Sequence, residues 1–106
     1  MSNALAGEAD IVDVKARASG NAWSFDVTVL HDDTGWDHYA DKWDVVGIDG
    51  IVYGTRVLAH PHENEQPFTR SISGVEIPDD VMEVRIRAHD NVHEYGSKEM
   101  TIKLER

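Results

Sequence analysis

Apolar and polar residues alternate along most of this chain, and the alternation is interrupted at short turn-forming segments. The clearest run is AWSFDVTVLH at 22–31. Trp23, Phe25, Val27 and Val29 share one side, and Ser24, Asp26 and Thr28 share the other. A period of two marks a half-buried β-strand, because successive side chains leave opposite faces of a pleated backbone. The same reading predicts strands over 11–18, 42–48, 51–60, 68–73, 81–89 and 98–105. In the first, Val12, Val14, Ala16 and Ala18 fall on one face; in 42–48, Trp43 and Val45 point inward. In 81–89, Val84, Ile86 and Ala88 oppose Glu83, Arg85 and Arg87; in 98–105, Met100, Ile102 and Leu104 align. Only 51–60 carries apolar residues in both phases, so its inward face stays open.

Turn chemistry separates these runs. SGN at 19–21 is a turn, DDTGWDHYAD at 32–41 has no period and reads as a loop, and GVEIPDD at 74–80 is a turn-rich link. Asp49 and Gly50 predict a type I′ hairpin turn, which needs positive φ at both central residues. About seven short strands with turns every 8–12 residues are the pattern of an all-β, two-sheet antiparallel β-sandwich. The expected core is Trp23, Phe25, Val27, Trp43, Val45, Val84, Ile86, Met100 and Ile102. We expect one domain over residues 10–106, preceded at 1–9 by a disordered segment or an expression remnant, as MSNA at 1–4 reads.

Trp23 in the second strand, Trp43 in the third and the closing stretch VRIRAHDNVHEYGSKEMTIKL carry a resemblance to immunoglobulin-like and fibronectin type III-like sandwiches. It covers nearly all of residues 10–106. The cysteines of the immunoglobulin disulfide are missing, and no tyrosine lies in the sixth strand to form a tyrosine corner. HPHENEQPFTRS is also similar to a stretch of small uncharacterised bacterial proteins, a likeness that implies no activity. A sandwich by itself does not imply a function.

Charge narrows the choice of partners. Twenty acidic against ten basic residues leave a formal net charge of -10. That balance repels phosphate backbones and anionic lipid surfaces, so we expect neither nucleic-acid binding nor membrane insertion. It suits divalent cations or a protein partner. The absence of cysteine excludes thiolate metal ligands and thiol catalysis. No basic region followed by an apolar one opens the chain; a secreted or periplasmic location stays open if a signal peptide has been removed. Oligomeric state is not legible.

The histidines supply the candidate chemistry. If successive strands alternate in direction, His31, His38, His60, His62, His89 and His93 all fall at one pole, in or beside three converging loops. Asp32, Asp33, Asp37, Glu63, Glu65, Asp90 and Glu94 lie in the same loops. Imidazole nitrogen is a ligand for zinc and copper. His60 and His62 have the His-x-His spacing that puts two rings on one strand face, although Pro61 between them removes a ladder donor. His89 and His93 flank a hairpin loop. The candidate metal ligands are therefore His60, His62 and His89, with His31 or His93, while His38 ranks lower. Against this stands a plainer reading, in which loop imidazoles bond to backbone groups.

Other features weigh less. Trp36 and Tyr39 form either a ligand platform or a cover over the open end of the core. Asp32–Asp33 and Asp79–Asp80 lack the spacing of a calcium loop and read as solvated turns. Gly-x-Ser-x-Gly, phosphate-loop and dinucleotide motifs are missing. The expectation is a non-enzymatic β-sandwich module for binding or interaction, or alternatively a divalent transition-metal protein using the histidine pole, with zinc or copper as cofactor.

Overall fold

The computed structural model describes residues 8–105. Its strands are β1 (Asp10–Ser19), β2 (Ala22–Leu30), β3 (Ala40–Gly47), β4 (Val52–Val57), β5 (Phe68–Glu76), β6 (Glu83–Asp90), β7 (Glu94–Tyr95) and β8 (Met100–Lys103). They form two antiparallel sheets, β1-β2-β5 and β4-β3-β6 with both β7 and β8 paired to the free side of β6. The last two strands are one edge strand broken in the middle: β7 pairs the end of β6, and β8 pairs its first half. Among the described residues no helix is long and apolar enough to cross a membrane.

The core lies between the sheets and contains Trp23, Phe25, Val27, Trp43, Val45, Val84 and Ile86, with Met100 and Ile102 packed partly buried against it. Alternation placed these residues because each sits in an unbroken stretch of pleat. Bulges move the others. In β1 the register shifts between Ile11, which pairs Val29, and Asp13, which pairs Thr28. One extra residue reverses the phase. Ile11 is therefore buried and Val12 exposed, while Ala18 at the far end is exposed as well, correcting the face read from the sequence. In β5 a shift between Trp23 and Phe25 of β2, with Gly74 at a φ of 71°, extends the strand into the expected link and buries Val75.

The β3–β4 connection also differs from expectation. Gly50 N–H donates to Gly47 O, and Gly47 N–H donates to Ile51 O. Gly50 has positive φ (93°) but Asp49 does not, so this is a three-residue loop closed by a left-handed glycine. At the N-terminus, Glu8 accepts bonds from the backbone N–H and hydroxyl of Ser97, and Ala9 is fully buried. The fold thus includes residues 8 and 9; the rest of the expected disordered segment, residues 1–7, lies outside the described residues.

Candidate metal site

The end of β2, the loop to β3, the loop between β4 and β5 and the β6–β7 turn meet at one end of the sandwich. A tight turn shapes the first loop. Thr34 N–H donates to His38 O and His38 N–H to Gly35 O, with Gly35 at a φ of 128°. The turn returns His38 towards His31. Their Nε2 atoms face each other at 3.2 Å. Alternation in β6 puts Ala88 in the core, His89 on the outer face and Asp90 back inside. Asp90 Oδ1 lies 3.4 Å from His38 Nε2, and Oδ2 lies 3.8 Å from His31 Nε2. The His31 and Asp90 side chains are fully buried, and that of His38 is 22% exposed.

A second carboxylate orients this group. Asp33, also fully buried, accepts the His31 Nδ1 proton in a short bond and the Ala40 N–H at 3.1 Å on the same oxygen. Its other oxygen accepts the His62 N–H at 2.7 Å. Bonding Nδ1–H to a carboxylate turns the His31 Nε2 lone pair towards His38 and Asp90, the usual orientation of a metal-bound imidazole. Gln66 closes the ring of contacts: its Oε1 accepts the His31 N–H and its Nε2 donates to His62 O.

The arrangement fits a small cation. Two ligands held about 2.0–2.1 Å from one tetrahedral zinc lie roughly 3.3–3.4 Å apart. The three donor groups here are separated by 3.2, 3.4 and 3.8 Å along their closest edges. One donor atom from each of His31, His38 and Asp90 falls within 4.8 Å of the others, so the three groups could hold a metal ion. An Nε2–H of His38 bonded to His31 would explain the nitrogen contact alone. It would not serve Asp90 Oδ2, a buried carboxylate oxygen with no hydrogen-bond partner among the described residues. Asp90 Oδ1, by contrast, accepts the N–H groups of Val92 and His93 at 2.8 and 2.6 Å. An orphaned carboxylate oxygen is costly to bury unless a cation meets it.

The expected ligands are distributed differently from the sequence reading. His31 is in the cluster. His93 lies at its solvent side, with Nδ1 3.3 Å from Asp90 Oδ1 and its ring 4.9 Å from that of His38. His89 is not in the cluster: it faces the outer side of the sheet, where Nδ1 meets Asp41 Oδ1 at 2.6 Å and the ring packs edge-on against Tyr95. His60 is exposed and its Nδ1–H donates to the Pro61 carbonyl. His62 is buried and stacks on Phe68 with centroids 4.0 Å apart, and burial lowers its pKa from the ordinary 6.5. The two rings lie 4.8 Å apart, and the buried His62 Nδ1 has no hydrogen-bond partner among the described residues; the group of three that could hold a metal does not include either of them. The sequence pattern alone does not include Asp90 among the ligands and sets His38 below the other histidines. The signal for Asp90 was the parity of β6, which sets it on the core side two residues after Ala88.

Fold and site together define an all-β antiparallel sandwich with a buried histidine–aspartate cluster at one pole. The chain matches no protein-family model. It is 43% identical over 99 residues to a "Putative lipoprotein" of Halomicrobium mukohataei, an alignment covering 92% of this chain and 48% of that protein. The chain thus spans about half the length of the curated relative it matches. Among solved structures it is similar to a hypothetical protein of Pyrococcus horikoshii OT3, with a TM-score of 0.61, 14% identity and coverage of 94% and 92% of the two chains. It is also similar to a superoxide reductase in its oxidised state, with a TM-score of 0.57, 13% identity and coverage of 93% and 90%. At such identities these likenesses establish the shared fold.

Proposed function

We propose that this domain is a non-catalytic module that binds one divalent transition-metal ion, zinc or copper, through His31, His38 and Asp90. The observation that carries the reading is the buried Asp90 Oδ2, which has no hydrogen-bond partner among the described residues, beside two imidazole nitrogens that face each other. Asp33 holds His31 in the coordinating tautomer, and His93 is placed to add a donor from the solvent side. The acidic surface raises the local concentration of cations. Within sandwiches, the immunoglobulin-like and fibronectin type III-like types are the nearest in our reading. The support is that β1, β2 and β5 form one sheet and β3, β6 and the last strand the other, with β4 added beside β3. The likeness to a lipoprotein supports an exported location as part of a longer chain, to be checked by membrane fractionation of the full-length protein.

The metal reading is tested by titrating untagged, chelator-treated protein with zinc and copper. One equivalent should bind at micromolar or tighter affinity in wild type and in His89→Ala. Binding should fall at least tenfold in His31→Ala and in Asp90→Asn. Millimolar binding in wild type, or equal losses in His89→Ala and His31→Ala, would refute it. Because imidazole must be neutral to coordinate, affinity should weaken as pH falls through the histidine range.

A further inference from the structure

At the pole opposite the histidines, the β3–β4 turn and the link between β5 and β6 leave apolar side chains in water. Ile48 is 57% exposed and Met82 is 61% exposed; Ile51 and Val52 are exposed beside them. Both turns are held by backbone bonds. Gly47 and Gly50 close the first, Val81 N–H donates to Pro78 O in the second, and Leu104 N–H donates to Met82 O. The apolar groups therefore stand on rigid supports. Between them lies an open cleft of about 430 Å³ that includes Ile48, Tyr53, Val81 and Met82. Gly47 makes room for its wall: a side chain there would meet the Tyr53 ring at 3.0 Å. Tyr53 also lines a second cleft beside it.

The rims of both clefts have one sign of charge. Asp49, Asp80 and Glu83 edge the first cleft, and Glu76 and Asp79 edge the second. Among the described residues lining them there is no lysine, arginine or histidine. An apolar floor with a polar rim is the anatomy of a recognition surface. The rim decides the occupant. A second copy of this chain would bring the same acidic rim and a net charge of -10, and would be repelled.

We infer that the first cleft docks a peptide segment of a partner protein that carries aliphatic side chains flanked by lysine or arginine. The aliphatic groups fill the space between Ile48, Tyr53 and Met82, and the cations meet Asp49, Asp80 and Glu83. The cleft lies at the other end of the sandwich from the metal cluster, and the inference does not depend on metal binding.

The test uses isotope-labelled protein and three synthetic hexapeptides: Lys-Lys-Leu-Leu-Lys-Lys, Lys-Lys-Ser-Ser-Lys-Lys and Glu-Glu-Leu-Leu-Glu-Glu. The first should shift the amide signals of Ile48, Tyr53, Val81 and Met82 and bind at least tenfold more tightly than either control. Added salt should weaken it. Ile48→Ser/Met82→Ser, at exposed positions, should keep the wild-type melting temperature and lose the binding; Asp80→Lys/Glu83→Lys should lose it through charge alone. Absence of binding, equal shifts with the serine peptide, shifts spread over the whole acidic surface, or unchanged affinity in both double variants would overturn the proposal. So would concentration-dependent dimerisation of the free protein that Ile48→Ser/Met82→Ser abolishes, since that assigns the face to a second copy.

Discussion

Asp33→Asn changes one atom of the residue that joins His31 to the β4–β5 loop, and its cost follows from the contacts. All three partners of this fully buried carboxylate are donors: His31 Nδ1–H and Ala40 N–H on one oxygen, His62 N–H on the other. An amide has one acceptor end, so either orientation sets an NH₂ group against a donor. The better orientation keeps two bonds and points the NH₂ at His62 N–H. That leaves two buried donors without acceptors, at about 1–3 kcal/mol each. Removing a buried charge recovers part of its desolvation cost, so we expect a net loss of about 2–4 kcal/mol. Against a total stability of about 5–15 kcal/mol for a single domain, the change should be plain in the urea midpoint of metal-free protein. The control is Asp32→Asn at the exposed neighbouring position, which should stay within about 0.5 kcal/mol of wild type. A midpoint for Asp33→Asn equal to that of Asp32→Asn would refute the hub assigned to this carboxylate. If the metal reading also holds, the weakened support for His31 should lower metal affinity by about 10–100-fold.

Three further outcomes are expected. His62 should titrate below its ordinary 6.5, because burial disfavours its charged form. Its contribution to stability is then present above that value and lost as pH falls towards the lower folded pKa; a folded-state NMR titration with a midpoint above 6.5 would contradict its placement against Phe68. Gly96→Ala should destabilise more than Gly50→Ala in chemical denaturation: a methyl at 96 would sit 2.2 Å from the backbone oxygen of Ala9, whereas the cost at 50 is the positive φ alone, about 1–2 kcal/mol. Phe25→Ala should lose about 3–5 kcal/mol, as a fully buried ring between the two sheets, and a loss under ~1 kcal/mol would mean that the core is elsewhere.

The sequence by itself determined the fold class and most of the core. Alternation is a local property of the pleat, so Trp23, Phe25, Val27, Val84 and Ile86 could be placed without knowing their neighbours. Chain reversals likewise brought the histidine loops to one end before any contact was known. Where a bulge intervened, locality failed. The extra residue in β1 exchanged Ile11 for Val12, since a register shift is set by the partner strand and not by the strand's own pattern. The site was decided at the same tertiary level. His31 and Asp90 are 59 positions apart in the sequence, and spacing along the chain carries no information about a 3.8 Å approach between them. His60 and His62 are paired by their spacing in sequence, but the stacking surface of Phe68 and the acceptor oxygen of Asp33 fix their loop. His89 and Asp90 differ by one residue and stand on opposite faces of the same sheet. The parity of β6 already puts Asp90 on the side of Ala88, but that His31 and His38 meet it there is decided only by the packed structure.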